Sequence, residues 1–117
     1  MKVIIAGSRN FNDYPLLKKK CDIFLSNQNN IEIVSGTARG ADLLGERYAI
    51  ENNYPIKFFV PEWDLLGKAA GFIRNRQMAE YADALIAFWD GVSVGTQNMI
   101  DIAKELKLKV RVILYEK

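Results

Sequence analysis

Three short segments combine glycine, hydroxyl side chains and a charged group at close spacing: Gly7-Ser8-Arg9-Asn10, Ser35-Gly36-Thr37-Ala38-Arg39-Gly40-Ala41-Asp42, and Asp90-Gly91-Val92-Ser93-Val94-Gly95-Thr96. Glycine lets a backbone approach a ligand closely, and free amides at a following helix start hold a phosphate with the help of the helix dipole. Ser8, Thr37, Ser93 and Thr96 would add hydroxyl donors, and Arg9 and Arg39 a charged fork suited to phosphate. The candidate ligand contacts are therefore Gly7, Ser8, Arg9, Ser35, Gly36, Thr37, Arg39, Gly40, Asp42, Asp90, Gly91, Ser93, Gly95 and Thr96. Any one such loop is as readily a tight turn with a helix cap. Three at the same end of a sheet favour binding. Asp42 would either accept ribose hydroxyls or favour the start of a helix, and Asp90-Gly91 is also a common turn pair.

A fourth segment, Gly67 to Met78, is too rich in Gly, Arg and Asn to be only a core helix. Arg74 and Asn75 fall about one turn from its start and join the candidate contacts, while Arg76 diverges by about 100° from its neighbour and points elsewhere. Trp63 and Trp89 flank the same region, and either could stack on a base or simply cover the sheet edge. With no histidine and one cysteine, a zinc site of the Cys/His kind and any imidazole-based triad are excluded. No metal site or cofactor is expected, and no residue is singled out as catalytic. Gly7 lacks the second glycine of the dinucleotide fingerprint. Gly67-Lys68 lacks both the first glycine of a P-loop, where Glu62 stands, and the Ser or Thr that follows its lysine, where Ala69 stands.

Positioning these segments requires regular alternation. Strand-like runs at Lys2 to Ala6, Ile31 to Ser35, Ile56 to Val60, Ala84 to Phe88 and Val110 to Tyr115 are separated by helical patterns. The first helix starts near Asp13-Tyr14-Pro15 and buries Leu17, Cys21, Phe24 and Leu25. The second runs from about Ala38 to Asn52, the third roughly from Lys68 to Tyr81, and the fourth from Thr96 to Leu106. Strands such as Val3-Ile4-Ile5-Ala6 are apolar without alternation, so both faces are covered, as in a parallel sheet. The expected fold is α/β: a Rossmann-like three-layer sandwich with a mostly parallel five-stranded sheet, occupying all 117 residues as one domain. A net charge of +2 is too small to argue for nucleic acid or an anionic membrane, so neither is an expected partner. Lys104, Lys107, Lys109 and Arg111 read as a solvated face. No apolar run approaches the length of a membrane span, and Met1 leads directly into a strand, so a cytosolic protein is expected.

Together, Gly7-Ser8-Arg9 with Phe11 and Tyr14, Ser35-Gly36 with Ala38-Arg39-Gly40-Ala41-Asp42, Pro61 and Trp63, Gly67 to Gly71 with Arg74-Asn75, Ala82-Asp83-Ala84, and Trp89-Asp90-Gly91 with Ser93 and Gly95-Thr96 resemble the SLOG superfamily. The likeness is to its small stand-alone YspA-like branch and covers nearly the whole chain. It implies a Rossmann-like sheet with a pocket for nucleotides or their derivatives, ADP-ribose-like signals included, and homo-oligomers as a family-level expectation. LOG-type phosphoribohydrolases in the superfamily use an arginine, which Arg74 resembles in place, and a glutamate three residues after a Gly-Thr pair. Met99 stands at that glutamate position, and methionine can neither stabilise an oxocarbenium charge nor activate water. The leading expectation is a sensing or sequestering module for a nucleotide-derived small molecule. The alternatives are a nucleotide-processing enzyme of phosphoribohydrolase or N-glycosidase type and a DprA-like accessory that binds single-stranded DNA.

Overall fold

The computed structural model describes residues 1–116. Five strands, β1 (Lys2–Gly7), β2 (Glu32–Ser35), β3 (Ile56–Phe58), β4 (Ala84–Trp89) and β5 (Lys109–Leu114), form one sheet in the order β3-β2-β1-β4-β5. Every pairing is parallel. The chain winds outward from β1 to β3 and then crosses back to β4 on the other side of β1. Strand order therefore reverses between β1 and β4, where a crevice opens beyond the carboxyl ends.

The helices α1 (Tyr14–Leu25) and α2 (Ala41–Glu51) cover one face, where Leu17, Cys21 and Tyr48 pack on Val3, Ile5, Ile33 and Phe88. The helices α4 (Ala70–Tyr81) and α5 (Val94–Glu105) cover the other, where Met78, Met99, Ile100 and Ala103 pack on Ile4, Val34, Leu85 and Ala87. Successive strand residues serve opposite layers, which is why the strands read as unbroken apolar runs. Asp13 caps α1 by accepting the Leu16 amide at 3.1 Å, and Pro15 occupies its first turn.

Two boundaries differ from the sequence expectation, each for a local reason. Helix α2 begins at Ala41 because Gly40 adopts φ +81°, and a Cβ there would lie 2.4 Å from the Ser8 carbonyl oxygen. Ahead of α4, a single turn of helix, α3 (Trp63–Leu66), and a 3-10 turn (Gly67–Ala69) occupy what the sequence left as a glycine-weakened start. Neither buries any residue. The remaining bounds agree to within two residues, and Lys104, Lys107, Lys109 and Arg111 are all exposed.

A close helix–sheet approach sets a test of this packing. Gly45 sits inside α2 over β1, and a Cβ at that position would lie 2.7 Å from the Cβ of fully buried Ile5. Alanine is the better helix former by about 1 kcal/mol, but overpacking a rigid strand costs about 1–3 kcal/mol. Gly45→Ala should therefore lower stability by about 1 kcal/mol in urea unfolding, where helix propensity alone would raise it.

Candidate functional site

A cavity of about 740 Å³ lies beyond the ends of β1 and β4, at the point of strand reversal. This is the size of small-molecule sites in general. Of the residues the sequence singled out, Gly7, Ser8, Arg9, Arg39, Asp42, Arg74, Asn75, Asp90, Ser93, Gly95 and Thr96 line it. Thr37 lines a smaller side cavity, while Ser35, Gly36, Gly40 and Gly91 line neither. Trp63 lies in the wall and Trp89 does not: the Trp89 indole N–H donates to the Ser93 carbonyl at 3.1 Å and so braces the loop before α5. Asn10, Lys68, Phe72, Val94 and the methionines Met78 and Met99 also line it.

The three glycine loops are not equivalent. Ser8 is buried and ties them together: its amide donates to the Phe88 carbonyl at 3.0 Å, its hydroxyl accepts the Asp90 amide at 3.2 Å, and its carbonyl accepts the Phe11 and Ala41 amides. In the second loop, the Thr37 amide donates to the Ser35 hydroxyl at 3.1 Å, and that hydroxyl donates to Glu46 at 2.6 Å. The Ala38 amide donates to the Asp42 carboxylate at 3.2 Å. The loop before α2 thus spends its amides on the protein's own oxygens. In the third loop Asp90 accepts the Val92 and Ser93 amides at 3.0 and 2.8 Å, leaving the first-turn amides of α5 at Val94, Gly95 and Thr96 directed past the helix end. A Cβ built on Gly95 would meet nothing within 4 Å, so open space adjoins that helix start.

Arg74 and Asn75 connect these loops from α4. Arg74 is buried, donates through Nη1 to the Gly36 carbonyl and through Nε to Asn75 Oδ1 at 3.1 Å. Asn75 in turn donates to the Gly95 carbonyl at 3.2 Å and to Asn98 Oδ1 at 2.9 Å. Arg74 is therefore a buried strut with one face on the cavity, a role the sequence did not reveal. Arg76 points outward to Glu80 and Glu105, as its helical offset requires. Arg9, Arg39 and Lys68 are exposed around the rim, and Trp63 and Phe72 stand about half exposed at its mouth.

Burial pushes the Asp42 carboxyl up to about 6, opposed by the charge of Arg74 and by the Ala38 and Gly7 amides. Burial also pulls Arg74 below the usual arginine range, with Asp42 acting in the other direction. The folded protein holds the Asp42 proton to higher pH than the unfolded chain does. The stability this contributes is fully present below 3.8 and is lost as pH rises through about 6. Urea unfolding of the wild type and Asp42→Asn across this range should show the wild type losing stability relative to the variant as pH rises, then a constant difference. A difference that grows in favour of the wild type would mean that Asp42 is stabilised as an anion.

The profile of the family described as YspA, cpYpsA-related SLOG matches residues 1–65, which carry the first two loops and Trp63. A comparison with curated proteins finds no match. Among solved structures, DNA processing protein A (DprA) from Streptococcus pneumoniae superposes with a TM-score of 0.77 at 22% identity, over 98% of this chain and 50% of that one. DprA from Helicobacter pylori, whose structure is described for its single-stranded DNA binding mode, gives 0.72 at 19% identity over 99% and 66%. The chain thus spans about half to two thirds of these proteins, and the likeness shows a shared fold.

It also corrects the expected partners. The argument that net charge disfavours nucleic acid fails, because a protein described as binding single-stranded DNA has this fold. Nor does either neighbour's description point to a small-molecule partner. The physical reason is that a net charge averages over the whole surface, whereas Arg9, Arg39 and Lys68 gather at one rim. Five parallel strands, glycine loops at the carboxyl ends and a sequence match over more than half the chain lead to one conclusion: this protein belongs to the YspA, cpYpsA-related SLOG family.

Proposed function

We propose that the main cavity binds a nucleotide, with its phosphate on the α5 amides and its base between Trp63 and Phe72. The observation that carries this reading is the open helix start at Val94–Thr96, facing a cavity rimmed by Arg9, Arg39 and Lys68. A helix dipole and unpaired first-turn amides favour an anion, arginines add charge-assisted bonds, and aromatic faces accept a base. Asp42 and Asp90 are engaged in holding their loops, and Met99 presents a thioether toward the cavity. These features support binding in preference to cleavage of a glycosidic bond, and a sensing or sequestering role.

A second reading, a nucleotide bound within a single strand, is favoured by the fold shared with the H. pylori protein described for its single-stranded DNA binding mode. The two readings differ in salt dependence. Three rim cations would give a slope of about −2 in log affinity against log salt for single strands, whereas a lone phosphate would give a much shallower one.

Titration with 5′-nucleotides, followed by calorimetry, is the direct test. Gly95→Leu should fill the open space at α5 and weaken binding by more than about tenfold, while raising stability by roughly 0.5–1 kcal/mol, because it removes a helical glycine. Arg9→Ala, on the exposed rim, should cost about tenfold in affinity with stability unchanged. Undiminished binding by both variants would rule out this seat.

A further inference from the structure

Beside the main cavity lies a smaller one of about 170 Å³, and Trp63 lines both. Arg9, Arg39 and Arg74 also belong to both. The side cavity alone is lined by Thr37, Val60 and Pro61, from the loops after β2 and β3, so it runs from the reversal point toward the β3 edge of the sheet. Its lining holds three guanidinium groups and one hydroxyl, with no carboxylate. Thr37 stands there in the left-handed region at φ +66°, rare for a β-branched residue, with its backbone N–H donating to the Ser35 hydroxyl. Val60, Pro61 and Trp63 supply the apolar part of its lining.

Volume limits what can enter. At about 30 Å³ per water the space holds five or six, close to one sugar-phosphate and short of a whole nucleotide. A mononucleotide seated with its phosphate at α5 and its base against Trp63 leaves this space unfilled, with Arg9 and Arg39 shared between the two cavities. We propose that the side cavity is a second anion subsite, which takes the next sugar-phosphate of a ligand extended beyond one nucleotide. The proposal rests on the nucleotide reading of the main cavity and narrows it: the ligand carries a second phosphate-bearing sugar on the far side of Trp63. That unit is joined by a diphosphate in a small molecule or by a phosphodiester in a strand.

Val60 is exposed and lines only the side cavity, so Val60→Asp adds a negative charge there without touching the α5 seat. Wild type and variant are titrated calorimetrically with the four 5′-mononucleotides, the matching 5′-phosphorylated dinucleotides and ADP-ribose. At least one extended probe should bind the wild type about tenfold tighter than the best mononucleotide. Val60→Asp should abolish that gain and cost mononucleotides less affinity than Arg9→Ala does. A gain for ADP-ribose identifies the diphosphate source, and a gain for dinucleotides the strand. Extended probes that bind no tighter than mononucleotides, or a gain that survives in Val60→Asp, would overturn the second subsite while leaving the nucleotide reading intact. Absence of binding by every probe would remove both.

Discussion

Two opposite charges are withdrawn from water at the head of the sheet, and the loops around the cavity are arranged to keep them satisfied. Asp42 and Arg74 are both more than nine-tenths buried. Burying an ion is costly unless its hydrogen-bonding capacity is met, and removing one partner leaves the other stranded. Asp42 takes the Ala38 and Gly7 amides; Arg74 takes the Gly36 carbonyl and Asn75. Asn75 extends the network to Gly95. Loops from three strands and the helix α4 are thereby fixed relative to one another before any ligand arrives, and a preformed cavity lowers the ordering cost of binding.

That network also divides labour among loops of similar composition. The second loop spends its amides on Ser35 and Asp42, the first spends Ser8 on neighbouring backbone, and the third has Asp90 to close its turn. At α5 the helix start adjoins open space. The cations Arg9, Arg39 and Lys68, which make no part of this network, stand exposed at the cavity rim. Local arrangement, rather than the near balance of sixteen basic and fourteen acidic side chains, sets what the site attracts.

The fold was legible because its signals are local and repeated. Unbroken apolar strands such as Ala84 to Phe88 announce burial on two faces, and the Asp13-Tyr14-Pro15 cap marks a helix start. That Gly7, Arg9 and Gly95 would line a crevice at the strand ends followed from the composition of their loops and the strand-end rule. What escaped depends on contacts between distant segments. Gly40 delays α2 because the Ser8 backbone crosses it, and Ser35 turns to Glu46 rather than to the cavity. Lys68 and Phe72 reach the cavity because α3 and the 3-10 turn carry that stretch over the crevice. The spacing of Trp63 and Trp89 gave them equal standing; only the Ser93 carbonyl, which engages the Trp89 indole, separates a brace from a cavity wall.

The central claim is that one helix start, among three similar loops, receives the anion. Backbone amide NMR during titration with a 5′-nucleotide tests it most directly, because each loop reports separately. The account requires the largest shift changes at Val94, Gly95 and Thr96, with small changes at Thr37, Ala38 and Ala41. Saturable changes centred on the second loop, with α5 unmoved, would contradict it.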